Sequence, residues 1–237
     1  MLTERQRLRQ MGLRSATIRD IIRLMPLWNL DDPASYDRFV EMVIALTQAR
    51  ARDSSVLAAR YYEMFRDAEL PGGARMTMGR AAVIAEPASP AQIRASIDAT
   101  ARATVYRSLG AGYSRERAMR EAASQLGGSM GRHVLNGGRE TITRSIDGDD
   151  RCLGWARVTD AEPCPFCAML ASRGPVYKDQ TVRFLAHDHC TCGAEPVYEG
   201  SKWPGRSQEF HDLWQGLKAQ GHYGQDTWRE FRKALTP

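Results

Sequence analysis

No stretch of this chain approaches the roughly 18 consecutive apolar residues that a membrane-spanning helix needs. The opening MLTERQRLRQ also has no apolar centre of the kind a secretory signal carries. Both absences point to a protein made and used in a cytoplasm, with no membrane partner. Internal repeats and low-complexity tracts are missing too. Lysine is scarce: Lys178, Lys202, Lys218 and Lys233 are the only four, so arginine supplies the rest of the 33 basic residues. A net charge of +5 and a pI near 9.1 would suit work beside nucleic acid. Spread over 237 residues, however, that charge is only mildly basic, and the arginines alternate with acids as on an ordinary solvated face. What the chain does have is 43% apolar and 26% charged residues, the profile of a globular protein with a core of good size.

The first 148 residues read as helical. Thr3 and Gln6 have capping-box spacing ahead of Leu8, Leu13, Ile18, Ile21, Ile22 and Met25, and the helix should stop near Pro26. Asp32-Pro33 pairs an N-cap acid with a proline at the first helical position and leads into a pattern running from Phe39 through Leu57, Tyr61, Met64 and Phe65 to Pro71-Gly72-Gly73. A third start lies at Ser89-Pro90-Ala91-Gln92, followed by Ile93, Ile97, Ala101, Val105 and Leu109, with Gly110 as a natural stop. A fourth helix follows Ser114 through Met119, Ala122 and Leu126, and the glycines at 127, 128, 137 and 138 introduce a further helical or irregular segment.

After Asp147-Gly148-Asp149-Asp150 the pattern changes. Gly154 to Thr159 alternates like a strand, Thr181 to Phe184 is a second strand candidate and Glu195 to Tyr198 a third. The tail returns to helix around Phe210, Leu213, Trp214 and Leu217 and again around Trp228, Phe231 and Leu235. The expected fold class is α+β: a mainly helical N-terminal region over 1–148, a small zinc-stabilised β-containing subdomain over 149–200, and a helical tail over 201–237.

Four of the five cysteines and two of the five histidines fall between residues 164 and 192 of that middle region. In a reducing compartment clustered thiols favour metal over disulfides, and the odd cysteine count agrees. Cys164 and Cys167 form C-x-x-C, and His187 and Cys190 form H-x-x-C, so the two pairs can close a tetrahedral Cys3His zinc site. Cys192 can replace Cys190 as the fourth ligand, and His189 is a further alternate. Cys152 stands apart as a small buried apolar residue. Four protein ligands leave no position for a catalytic water, so the zinc is expected to be structural. A segment of about fifty residues with few large apolar side chains also needs such a staple, which can supply on the order of 10–16 kcal/mol.

Three enzyme readings can be tested on the residues. Pro163-Cys164-Pro165-Phe166-Cys167 is half of a zinc-deaminase signature, but the H-x-E half is missing, since His133 is followed by Val134 and Leu135. Gly127-Gly128-Ser129-Met130-Gly131 matches G-x-S-x-G, yet a helical pattern leads into it instead of a strand, so it reads as a glycine-loosened helix end. A zinc-dependent nuclease using His187, Asp188 and His189 is the remaining alternative. The chain is otherwise expected not to be an enzyme.

Trp155 to Asp160, then CPFCAMLASRG, then AHDHCTC followed by Glu195-Pro196-Val197, resembles the C-terminal half of phage Mu protein F-like minor head proteins, those of tailed phages infecting actinobacteria in particular. The likeness is close over about 150–200; Ser54 to Tyr62 is similar in character only. The resemblance implies a non-enzymatic minor capsid protein present in few copies inside the virion head near the portal, and in the host cytoplasm during assembly. Its implied partners are the portal protein and the major capsid protein, with packaged DNA a further one, and its implied role is in head assembly and DNA packaging or delivery. The family's C-x-x-C falls on Cys164 and Cys167, and its H-x-x-C-x-C on His187, Cys190 and Cys192. Family members usually carry proline after that first histidine, where Asp188 stands here, which leaves the choice among His187, His189, Cys190 and Cys192 open.

Overall fold

The computed structural model describes residues 2–70, 82–175 and 184–235. The chain falls into two compact units, one built from residues 1–61, 84–141 and 185–190, the other from 62–83, 142–184 and 191–237. Among the described residues it is mainly helical with one small sheet, the α+β class expected.

Helix α1 (Leu2–Leu24) gives way to a 3-10 turn at Met25–Leu27, where Pro26 supplies the fixed φ and has no N–H for the helical ladder. Because α1 already includes Leu2, Thr3 lies inside the helix instead of capping it; its hydroxyl meets the Tyr61 hydroxyl at 2.9 Å. Helix α2 (Pro33–Glu69) starts as its sequence predicts, with the Asp32 carboxylate accepting from the Ala34 N–H at 3.0 Å. It stops short of Pro71-Gly72-Gly73, which lies outside the described residues. Helix α3 (Pro90–Ile97) has the full capping box, Ser89 with Gln92.

A π segment at Asp98–Arg102 joins α3 to helix α4 (Ala103–Gly110). The four-residue spacing of Ile93, Ile97, Ala101 and Val105 explains it. On a helix of 3.6 residues per turn such spacing drifts by about 40° at each step. One wider turn offsets the drift, and all four side chains end at no more than 1% exposure. Gly110 is the last helical residue; the left-handed turn falls two residues later, at Gly112 with φ 81°. There the Tyr113 N–H reaches back to the Ser108 carbonyl at 3.1 Å.

Helix α5 (Arg115–Asp147) overturns one expectation: the glycines at 127, 128, 137 and 138 neither end nor loosen it. They mark where other chain segments come too close for a side chain. A Cβ on Gly137 would stand 2.4 Å from the Ala51 carbonyl oxygen, and one on Gly138 2.7 Å from Gln10 Nε2. Gly127 and Gly131 face Ile18 and Arg14 of α1 less tightly, at 3.3 and 3.1 Å, where a Cβ would push the neighbouring side chain by a few tenths of an ångström. Glycine costs a helix about 1 kcal/mol relative to alanine, and tight packing of α5 on α1 and α2 outweighs it. Between them lies one apolar core containing Ile21, Phe39, Val43, Ile97, Leu126 and Met130, with Trp28 and Phe39 rings 5.8 Å apart.

The second unit holds strands β1 (Gly154–Val158) and β2 (Gly193–Val197), paired antiparallel with Trp155 opposite Pro196. All five β1 residues are buried, so both faces are covered where the sequence alternation suggests one. Phe184 is flanked by Trp155 at 5.2 Å and by the Arg157 guanidinium 3.9 Å above its ring. Thr181 to Arg183 of the expected middle strand lie outside the described residues, and Phe184 itself is not in a strand. Helices α6 (Pro165–Ala171), α7 (Ser207–Ala219) and α8 (Gln225–Leu235) share a small core of Ala168, Ala171, Phe210 and Phe231, with Trp214 packed edge-on to Phe231 at 5.1 Å.

A polar knot completes this unit. The Asp149 carboxylate, 6% exposed, accepts from Arg66 Nε at 2.8 Å, the Tyr62 hydroxyl at 2.9 Å and the Tyr198 hydroxyl at 3.2 Å. Burial pushes its pKa up, but the hydrogen bonds from Arg66, Tyr62 and the Arg151 N–H more than offset this and hold it below the ordinary range. Burial raises both phenols, Tyr62 and Tyr198.

Candidate metal centre

Each cysteine limb is shaped by its own local structure. Cys164 is the N-cap of α6, with extended backbone at φ −60° and ψ 150°, and its sulfur accepts from the Cys167 N–H at 3.4 Å. Pro165 at the first helical position needs no hydrogen bond there. The C-x-x-C spacing thus sets both sulfurs at one helix start, and Cys167, 3% exposed, faces inward beside Ala168.

The H-x-x-C limb is a β-turn. The Cys190 N–H donates to the His187 carbonyl at 3.1 Å, and His189, with φ 66°, takes the left-handed third position. His187 and Cys190 therefore occupy the two ends of one turn. Asp188 fills the second position, where proline is favoured. In place of a ring that fixes φ, the Asp188 side chain anchors to Arg132 Nε of α5 at 2.6 Å. Arg139 of α5, 3% exposed, donates to the Cys190 carbonyl at 3.0 Å. Arg14 lies near enough to feel charge on Cys190, although burial lowers its pKa overall. The His189 ring occupies the space over Gly128, where a Cβ would stand 2.3 Å from Nε2. The third limb, Cys192, is 4% exposed and directly precedes β2.

Donor atoms from the three limbs converge. Those of Cys164, Cys167 and His187 lie within 4.8 Å of one another, and so do those of Cys167, Cys190 and Cys192. Cys167 belongs to both groups. The cluster can hold a metal ion, with five candidate donors for a tetrahedral set of four. Cys190 and Cys192 are both buried and grouped with Cys167; His187 is exposed and grouped with the C-x-x-C pair. His189 belongs to neither group among the described residues. No disulfide joins any of the five cysteines. Sulfur-rich donor sets of this kind suit zinc.

Cys152 is half-buried; its thiol donates to the Gly154 carbonyl at 3.2 Å, and burial pushes its pKa up, as suits an inert structural thiol. His133, the histidine examined for the deaminase signature, sits within α5 with Nε2 2.8 Å from the Ser96 hydroxyl oxygen, its pKa pulled down to about 4 chiefly by burial. Ser129, at the centre of G-x-S-x-G, is 1% exposed within α5, so no strand-to-helix elbow forms there. The arginines that hold the second limb were not singled out from sequence. Arg132 and Arg139 are seven residues apart, which puts them on one face of a helix, and that spacing is the signal that could have found them.

A comparison with protein families matches the VG15 protein family over residues 2–216. The chain belongs to the VG15 protein family. This is a viral protein family, and all five candidate donors fall within the matched span. No curated protein and no solved structure matches this VG15 family member. Among the described residues no helix is long and apolar enough to cross a membrane.

Proposed function

We propose that this VG15 family member is a structural minor capsid protein of a tailed phage, of the Mu protein F-like kind, acting inside the head near the portal in head assembly and in DNA packaging or delivery. The observation that carries the reading is the position of the donor cluster within the span matched by a viral family. The portal protein and the major capsid protein are its proposed partners, and the long helices of 1–148 the proposed contact region. The residues 149–200 form the metal-fastened part and 201–237 the helical tail.

The donor set fits structural zinc, held by Cys164 and Cys167 with two of His187, Cys190 and Cys192. When bound, zinc contributes folding free energy by fixing thiolate and imidazole donors at one point. The residues beside it are committed to holding the loop: Asp188 pairs with Arg132, and Arg139 grips the Cys190 carbonyl. A nuclease working through Asp188 would need that carboxylate released from its arginine.

Elemental analysis of the purified protein should find one equivalent of zinc, reduced to well below one in Cys167→Ser. Co-expression with the portal protein of the same phage should give a complex that survives size exclusion. Metal-dependent cleavage of DNA that disappears in Asp188→Asn while the fold persists would replace this reading with the nuclease.

A further inference from the structure

The outer face of α1 has an arrangement that the cysteine centre does not use. At 100° per residue, Arg5, Arg9, Arg19 and Arg23 fall within about 80° of one another around the helix and span about 27 Å along it. All four are exposed. The stripe lies opposite the side that carries Thr17 and Ile21 into the core. The acids of α1 are engaged elsewhere: Glu4 pairs with Arg7, and Asp20 with Arg50 as well as with Arg23, whose side chain is still 77% exposed. Arg5, Arg9 and Arg19 have no ion-pair partner among the described residues.

Between the two arginine pairs the same face carries Gly12 and Ala16, the two smallest side chains available. Gly12 is an exposed mid-helix glycine with nothing within 4 Å of where its Cβ would be. Five glycines of α5 are accounted for by close contact with neighbouring side chains or backbone. Gly12 has no such reason among the described residues, although it weakens the helix by about 1 kcal/mol relative to alanine. Two arginine pairs flanking a smooth saddle match a rigid, regularly charged cylinder that approaches closely. A protein partner would need an apolar centre in the contact; between the arginine pairs this face carries only Gly12 and Ala16, and the exposed Leu8 and Ile22 lie along one edge of it.

We propose that this face of α1 is a docking surface for the phosphate backbone of double-stranded nucleic acid, read by charge and shape without base contacts. Each guanidinium replaces condensed counterions at one phosphate, and the planar forks suit bidentate contact to phosphate oxygens. The surface is independent of metal at the cysteine centre.

The test is fluorescence anisotropy of a labelled 30-base-pair duplex with the full chain across a salt series. Changing all four stripe residues to glutamine should weaken binding at least about tenfold at 0.1 M salt, and should reduce the log–log salt slope by about 3 to 4, close to 0.9 per lost contact. A control set of exposed arginines, Arg38, Arg107, Arg120 and Arg144 each changed to glutamine, should leave most of the affinity. Gly12→Leu separates docking from folding, because leucine improves helix propensity yet fills the saddle: melting temperature should hold or rise while affinity falls. Equal losses in stripe and control sets, unchanged affinity in Gly12→Leu, or polyglutamate competing as well as unlabelled duplex would each overturn the proposal, the last by assigning the face to an acidic polypeptide.

Discussion

The two units of this chain are held by different physics. The first is a helical packing problem solved with apolar side chains and missing ones: Phe39, Ile97, Leu126 and Met130 fill the core, and glycines in α5 let backbones approach. In the second, a two-stranded ribbon and three short helices bury Trp155, Val197, Tyr198, Phe210 and Phe231, and the Asp149 knot and the sulfurs of Cys164, Cys167 and Cys192 lie in the same unit. Each buried aliphatic or aromatic residue contributes about 1.5–3 kcal/mol, so a unit rich in them is stable without specific polar partners. The polar and sulfur groups of the second unit add a dependence on particular atoms meeting.

That contrast predicts different ways to fail. The largest effect should come from the proposed metal. Chelation, or Cys167→Ser, should collapse amide-exchange protection in β1, β2 and α6 while protection in α3 and α4 persists; uniform loss across both sets would show that the units are not stabilised separately. Next is the knot. Asp149→Asn leaves Arg66 buried without its counter-charge and should cost about 3–5 kcal/mol in urea unfolding. The same carboxylate sets an acid dependence: its folded pKa is lowered, so its contribution is complete above the ordinary carboxylate value of about 4 and is lost as pH falls through the lower folded value. Asp149→Asn should therefore flatten the acid limb of stability against pH, and an unchanged limb would count against the knot.

Smaller effects distinguish the glycines. Gly137→Ala should destabilise by about 1–3 kcal/mol, because its Cβ collides with the Ala51 carbonyl. Gly12→Ala should stabilise by up to about 1 kcal/mol from helix propensity alone. Matching signs in thermal melts would refute the close-packing account of α5. At neutral pH the smallest expected effect is at His133, whose cost appears only in acid. Its folded pKa of about 4 lies below the unfolded value, so stability is full above about 6.5 and declines as pH drops toward the folded pKa, by at most about 1.4 kcal/mol per pH unit. His133→Gln should remove that slope between pH 6 and pH 4.

Helix starts were legible from sequence where a local rule governs them: Asp32-Pro33 and Ser89 to Gln92 work through hydrogen bonds within three residues. The residues that come together as candidate donors were legible for the same reason, since C-x-x-C and H-x-x-C each form one short turn. What sequence could not give depends on distant partners. Gly137 reads as a helix breaker until Ala51 is placed beside it, and Asp149 reads as part of a polar turn until Arg66 and Tyr62, more than eighty residues away, converge on it. The π segment lies between these cases: four-residue spacing was visible, but that backbone would widen to accommodate it follows only from a core on one side.

Cys164 holds two offices through a single atom: its sulfur closes the first turn of α6 and also points to the donor cluster. Serine retains the capping office and gives up the soft ligand, whereas alanine surrenders both. Comparing those two replacements would therefore divide the worth of a helix beginning from the worth of an ion, at one position and without disturbing any neighbour.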